Sequence, residues 1–235
     1  MESFAETDRM LTENFGVTAR PIDGKELPAF DPGLKSGLAG AFHYPDDASV
    51  RPDLLNQEWS ERIRADGVKF IDQCELQTIH KSAGRVTELK TSHGDMQADY
   101  FIFAMGAWTT QWSKELECRI PIQPGKGYSI TMSKPESCPR YPMLFPEHKV
   151  GVSPFDDGFR LGSMMEFAGY DTSIPDQRIQ QLRESDRPFL VAQVDGPAQE
   201  TRYGWRPMTW ESLPIIGPLP AQKTRTWPRA TTCLV

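Results

Sequence analysis

This chain lacks most of what would mark a stapled, metal-bound, nucleic-acid-binding or membrane-spanning protein. Its four cysteines, Cys74, Cys118, Cys138 and Cys233, are scattered and form no C-x-x-C pair. That spacing fits reduced thiols of a cytosolic protein better than a disulfide framework. The four histidines, His43, His80, His93 and His148, lie far apart without ligand spacing, so no metal site is expected. Positive charge is in deficit: the formal net charge is −6 and no long basic run occurs, so nucleic acid is not an expected partner. No apolar run approaches a membrane span, and the N-terminus, Met1 to Asp8, is too acidic and polar for a secretory leader. No G-x-G-x-x-G follows any strand-like segment, so the usual dinucleotide fingerprint is missing.

What the chain does have is core-forming material. Over 235 residues, 38% are apolar, with 6 Trp and 12 Phe, enough for one large domain or two small ones. Residues 1–12 read as a short amphipathic helix, Pro21 to Ser36 as a loop, and Leu38 to Tyr44 as a strand. Pro52 suits a helix start, Leu55, Trp59 and Ile63 recur every fourth residue, and Gly67 suits a left-handed helix end. Strands are then expected at Val68–Ile71, Glu75–His80 and Val86–Thr91. Met96 to Met105 follows and ends in the apolar run Tyr100–Ala104, which is typical of a buried strand. From Pro121, short strands alternate with turns: Tyr128–Ser133, Tyr141–Phe145, Val150–Ser153 and Phe159–Ser163. This pattern reads as an antiparallel sheet. A helix is expected from Arg178 to Leu190, set off from the sheet by Pro175.

Four segments carry the chemistry. In Tyr203-Gly204-Trp205-Arg206-Pro207-Met208-Thr209, one arginine is framed by a tryptophan and a proline. A guanidinium is planar, permanently charged and matched to two carboxylate oxygens, although an arginine so placed can equally pair with a protein acid. In Ala104-Met105-Gly106-Ala107-Trp108, small residues after the buried strand would let a ligand approach the backbone, or simply make a tight turn under Trp108. Pro124-Gly125-Lys126-Gly127-Tyr128-Ser129 is a glycine-rich turn entering a strand; it lacks the spacing of a phosphate loop. In Gly162-Ser163-Met164-Met165-Glu166, the glutamate reads as a structural acid.

Together these runs resemble the FAD-dependent amino-acid oxidoreductases, the family of D-amino-acid dehydrogenase, D-amino-acid oxidase and glycine oxidase. The Gly204–Pro218 stretch resembles that family's G-W-R-P-x-T-x-D-x-L-P-x-I-G-P segment, and Ala98–Trp108 its A-D-x-x-V-x-A-x-G-A-W segment, with Met105 in place of Thr or Cys. The resemblance implies that Arg206 binds the substrate carboxylate and that Tyr128 lines the substrate pocket. It implies that Ala104, Met105, Gly106 and Trp108 lie against FAD, and that Leu76 meets the adenine region through its backbone. Taken alone, Leu76 is a core residue. No residue is assigned as catalytic, because a hydride passing from substrate Cα to flavin needs orientation rather than a carboxylate base.

The implied fold is mixed α/β, an antiparallel-sheet substrate domain joined to a partial FAD-binding layer. Its expected segments are 1–47 (substrate domain), 48–112 (FAD-binding layer), 113–205 (substrate-domain sheet), 206–220 (return to the FAD-binding layer) and 221–235 (an aberrant tail). The implied function is oxidation of an amino acid, a D-amino acid on the likeness to D-amino-acid dehydrogenase, to its imino acid; the Gly-Lys-Gly-Tyr-Ser and Gly-Trp-Arg-Pro-Met-Thr runs favour the dehydrogenase branch over the oxidases. A glycine- or sarcosine-oxidase-like activity is the alternative among enzymes. The implied compartment is the cytoplasm, with peripheral association at the inner membrane left open.

Two departures qualify the resemblance. The missing fingerprint implies that the family's N-terminal third is absent, that the chain alone does not hold FAD tightly, and that Tyr100–Ala104 is an exposed edge or face. It also sustains a reading from another class, a non-catalytic remnant or carboxylate-binding module without flavin. After Pro220 the likeness stops. Yet codons exist for Thr226–Val235 that, regrouped by one base, read V-A-T-G-H-N-M-L-G, the family's flavin-side motif. A frameshift near residue 220 follows as the expectation, with an irregular tail and no well-formed pocket for Trp227.

Overall fold

The computed structural model describes residues 2–192 and 196–219 together with the backbone of 232–234. In chain order its elements are α1 (Glu2–Phe15), β1 (Arg20–Asp23), α2 (Leu27–Phe30), β2 (Gly40–His43), α3 (Pro52–Ala65), β3 (Leu76–Ser82), β4 (Arg85–Thr91), β5 (Gly94–Met96) and β6 (Ile102–Phe103). A 3-10 helix (Gly106–Trp112) follows, then β7 (Ile122–Met132), β8 (Met143–Phe145), β9 (Val150–Pro154), β10 (Phe159–Glu166), α4 (Asp176–Ser185), β11 (Glu200–Thr209), β12 (Ile216–Pro218) and β13 (Thr232–Leu234). The fold is mixed α/β with antiparallel sheets. The largest sheet has the order β11-β7-β10-β9-β8, and its β8–β9 and β9–β10 pairs are antiparallel.

The chain forms two compact units, each built from three stretches. The first comprises Met1–Arg51, Gly127–Met164 and Thr172–Tyr203. Its core packs sheet residues such as Ile130, Val150, Val152, Phe159 and Leu161 with Leu27, Leu182 and Leu190, all nearly or wholly buried. Each such side chain contributes about 2 kcal/mol relative to exposure. β7 shows why the strand forms here: Tyr128, Ile130 and Met132 alternate inward at the period of a pleated strand. A buried carboxylate, Asp31, ties the loop after α2 by accepting the backbone N–H of Gly33 at 2.9 Å and of Arg140 at 2.8 Å.

The second unit comprises Pro52–Lys126, Met165–Asp171 and Gly204–Val235. Its core gathers Ile79, Phe101, Phe103, Leu116, Ile120, Ile122 and Leu219, with Leu76 packed at the margin. β3, β4 and β5 make an antiparallel meander; β3 joins β4 through Ala83-Gly84, both left-handed at φ 50° and 76°.

Several sequence expectations need correction. The Pro21–Ser36 loop contains a strand and a helical turn, β1 and α2, because Pro28 suits a helix start. Val68–Ile71 is not a strand: no described strand pairs with it, and Val68, Phe70 and Ile71 are exposed. The run from Met96 to Met105 is not one strand but two short ones, β5 and β6. Within it Phe101 and Phe103 are buried while Tyr100 and Ile102 are exposed, so one face alone of Tyr100–Ala104 is open. The helix expected from Arg178 to Leu190 ends at Ser185, five residues early. Arg187 precedes Pro188, which disfavours the helical region at that position. The tail is not irregular throughout, since Thr232–Leu234 forms β13, antiparallel to β12 and parallel to β6. Trp227 lies outside the described residues.

Candidate functional site

β6 delivers the chain to the Ala104–Trp108 turn with its buried phenylalanines holding one side. Ala104 is exposed and Met105 and Gly106 are half-buried. Gly106 has φ 54°, a conformation that suits glycine, and nothing lies within 4 Å of where a Cβ would stand. The turn is nonetheless rigid. Trp108 N–H donates to the Met105 carbonyl at 3.1 Å, and the wholly buried Thr109 donates its hydroxyl to the Gly106 carbonyl at 2.8 Å. The backbone at Gly106 is therefore open to solvent yet fixed from beneath.

Above the turn stands a cluster of three aromatic rings. Trp108 meets Trp205 edge to face at a centroid distance of 5.5 Å, and Tyr170 meets Trp205 at 5.7 Å. The Tyr170 hydroxyl donates to the Ala107 carbonyl at 2.6 Å. It has one proton, so its 2.8 Å contact with the Thr110 hydroxyl must have Thr110 as donor. Beside Tyr170, Asp171 pairs with Lys126, whose side chain is fully buried, at 2.8 Å. A buried ammonium requires such a partner.

Arg206 follows Trp205 on β11. Side chains alternate along a strand, so Trp205 turns toward Trp108 and Arg206 to the opposite face. Arg206 is exposed and makes no ion pair or hydrogen bond with another described residue. Among the described residues it thus has no internal ion-pair partner, and its guanidinium is exposed to solvent.

The remaining sequence candidates are placed differently. Tyr128 is 3% exposed and belongs to the first unit's core. Leu76 is half-buried at the start of β3 against the second unit's core. Met164, in the Gly162–Glu166 run, has φ 78° inside β10, a left-handed residue that re-aims the strand. Met165 beyond it reaches the space over Gly125 together with Met208, where a Cβ on residue 125 would collide with both side chains.

Sequence reading missed Tyr170. Its hydroxyl partners lie 60 and 63 residues away, a distance no local pattern encodes. The available signal was its place between Glu166 and Asp171, beside an acid that answers the Lys126 of the glycine-rich turn. An open hollow lined by Asp23, Lys25, Pro28 and Ser36 belongs to the first unit and contains none of these residues.

Comparison with known proteins adds the family. The model of the family described as "FAD dependent oxidoreductase" matches residues 1–230. D-amino acid dehydrogenase of Chromohalobacter salexigens is 33% identical over 223 residues, 92% of this chain and 53% of that protein. D-amino acid dehydrogenase of Vibrio vulnificus is 29% identical over 226 residues, 94% of this chain and 54% of that protein. This chain therefore spans about half the length of the curated relatives it matches. Among solved structures, glycine oxidase from Bacillus cereus superposes with a TM-score of 0.85 at 18% identity, covering 100% of this chain and 63% of that one. L-proline dehydrogenase from P. horikoshii gives 0.84 at 16% identity, covering 99% and 63%. These two likenesses speak to the fold, and the family match speaks to descent: this chain belongs to the FAD-dependent oxidoreductase family.

Proposed function

We propose that this chain carries the substrate-side part of a flavin-dependent enzyme that oxidises a D-amino acid to its imino acid. The observation that carries the reading is Arg206, an exposed guanidinium with no partner among the described residues, on a strand whose preceding residue is locked into an aromatic cluster. The relatives named D-amino acid dehydrogenase support the D-series.

The residues at the turn fit an aromatic cofactor ring. Gly106 leaves open space where a side chain would stand, and Tyr100, Ile102 and Trp108 present exposed apolar surface nearby in sequence. When bound, FAD supplies the acceptor for the hydride that leaves the substrate Cα. In this reading Ala104, Met105, Gly106 and Trp108 form the cofactor-facing backbone, and Leu76 contributes its backbone at the start of β3. Arg206 holds the carboxylate through two parallel N–H···O contacts, which fixes two points of the substrate and leaves its Cα–H to be aimed. Tyr128, being buried, shapes the pocket by packing.

A second reading is a carboxylate-binding module without flavin. Flavin absorbance in the purified protein separates the two.

The test of the carboxylate site is a binding titration of the purified chain with D-alanine and with D-alaninol, which lacks the carboxylate. D-alanine is expected to bind and D-alaninol to fail, and Arg206→Gln is expected to weaken D-alanine about tenfold or more, the loss of a charged hydrogen-bond pair. Equal binding by wild type and Arg206→Gln sinks the reading.

A further inference from the structure

We propose that Tyr170 is a positioning residue: seated by the Lys126–Asp171 ion pair, it clamps the Ala104–Trp108 turn to the strand that carries Arg206. This rests on the reading of that turn and of Arg206 as the ligand-facing elements.

Three observations close a circuit. The Tyr170 hydroxyl bridges Ala107 and Thr110, donating to the first and accepting from the second, so it grips the 3-10 helix at both ends of one turn. The Tyr170 ring packs on Trp205, and Trp205 packs on Trp108 of the same helix. Helix, Tyr170 and β11 thus hold one another, and no one of them can shift without breaking a hydrogen bond or a ring contact. The next residue fixes the clamp from outside. Asp171 is bound at 2.8 Å to a lysine whose side chain is completely buried, and separating a buried ammonium from a carboxylate is costly. The segment holding Tyr170 is otherwise a short turn through Gly169, left-handed at φ 60°, with little packing of its own. Its position is set by these contacts.

The consequence is preorganisation. Arg206 is exposed, and no described residue restrains its side chain by an ion pair or hydrogen bond. Its usefulness to a ligand therefore depends on how its backbone is held, and Tyr170 packs on Trp205, the preceding residue of that strand. A site held ready before binding spends less of its interaction energy on ordering.

The experiment compares the full chain with Tyr170→Phe and Thr110→Val. Tyr170→Phe keeps the ring against Trp205 and removes both hydroxyl bonds; Thr110→Val removes one. Hydrogen exchange is followed by segment and D-alanine binding is titrated in parallel. In Tyr170→Phe the amides of 104–112 are expected to exchange about tenfold faster, and D-alanine to bind about tenfold more weakly, for two lost hydrogen bonds. Thr110→Val shifts both in the same direction by less. Exchange in the β3–β4 hairpin stays as in wild type, and the melting temperature falls by a few degrees at most, about the share of two hydrogen bonds. The proposal is overturned if exchange at 104–112 is unchanged in both variants. It is also overturned if exchange rises equally throughout the chain, the β3–β4 hairpin included, or if exchange rises locally while D-alanine affinity holds. Should the wild-type chain bind no D-alanine, the functional reading fails, and the exchange comparison alone decides the clamp.

Discussion

Trp205 stands edge-on to Trp108, with ring centroids 5.5 Å apart and planes at 87°. This arrangement sets the positive edge of one ring against the negative face of the other, which adds about 1 kcal/mol beyond burial. A double-mutant cycle with Trp108→Leu and Trp205→Leu in urea should return a coupling of about that size. Additive single variants would show that the rings are merely neighbours.

The Lys126–Asp171 pair makes a directional prediction. Asp171→Asn removes the charged partner of a fully buried ammonium and should cost about 2 kcal/mol, below the cost for a fully buried pair because Asp171 is half-exposed. Converting both partners, Lys126→Met with Asp171→Asn, removes the buried charge as well. The double variant should then be more stable than Asp171→Asn alone. If urea midpoints fall in the opposite order, the pair is not what holds the lysine.

At the β3–β4 turn an alanine occupies a left-handed position, with φ 50° at Ala83. Glycine or asparagine suits that place better in a two-residue hairpin. Ala83→Gly should raise stability by about 0.5 kcal/mol, relief of the left-handed strain offset by lost chain stiffness. A drop in melting temperature would contradict the turn as described.

Cys138 is the thiol with a directed shift. Burial pushes its pKa up, Lys134 opposes this, and Asp31 adds to it. The folded value is therefore the higher one. This group's share of stability is complete below the unfolded thiol range and is lost as pH rises through the folded value. Iodoacetamide at pH 8.5 should modify Cys138 more slowly than a model peptide thiol, since the thiolate is the nucleophile. Equal rates would mean that the thiol is not buried as described.

The legible part of the fold was the part with local causes. The helix α3 was readable because Pro52 opens it, a four-residue stripe runs along it, and Gly67 closes it at φ 91°. The same stripe misleads about burial: Trp59 is 61% exposed, because an amphipathic face specifies a helix but not a neighbour. Val68–Ile71 has the composition of a strand, yet a strand exists only where a partner supplies its hydrogen bonds. Of the proposed site, Arg206 and the Ala104–Trp108 turn stand out in the sequence as unusual residue runs. Tyr170 does not, because its contacts reach across the fold. Tyr128 illustrates the converse, since a conspicuous motif residue occupies the core.

The junction of Leu34 with Leu190 has a consequence in time. Leu34 pairs with Leu190 in an antiparallel bridge, flanked by Lys35 N–H to Phe189 O at 2.8 Å and Val191 N–H to Gly33 O at 2.9 Å. During synthesis at about 5–20 residues per second, Leu34 leaves the ribosome on the order of 10 s before its partner does. Over that interval Ile22, Leu27 and Leu34 have emerged while the residues that bury them have not. A nascent chain arrested between residues 51 and 126 should accordingly be a target for holdase chaperones, and release of the segment through residue 192 should end that susceptibility.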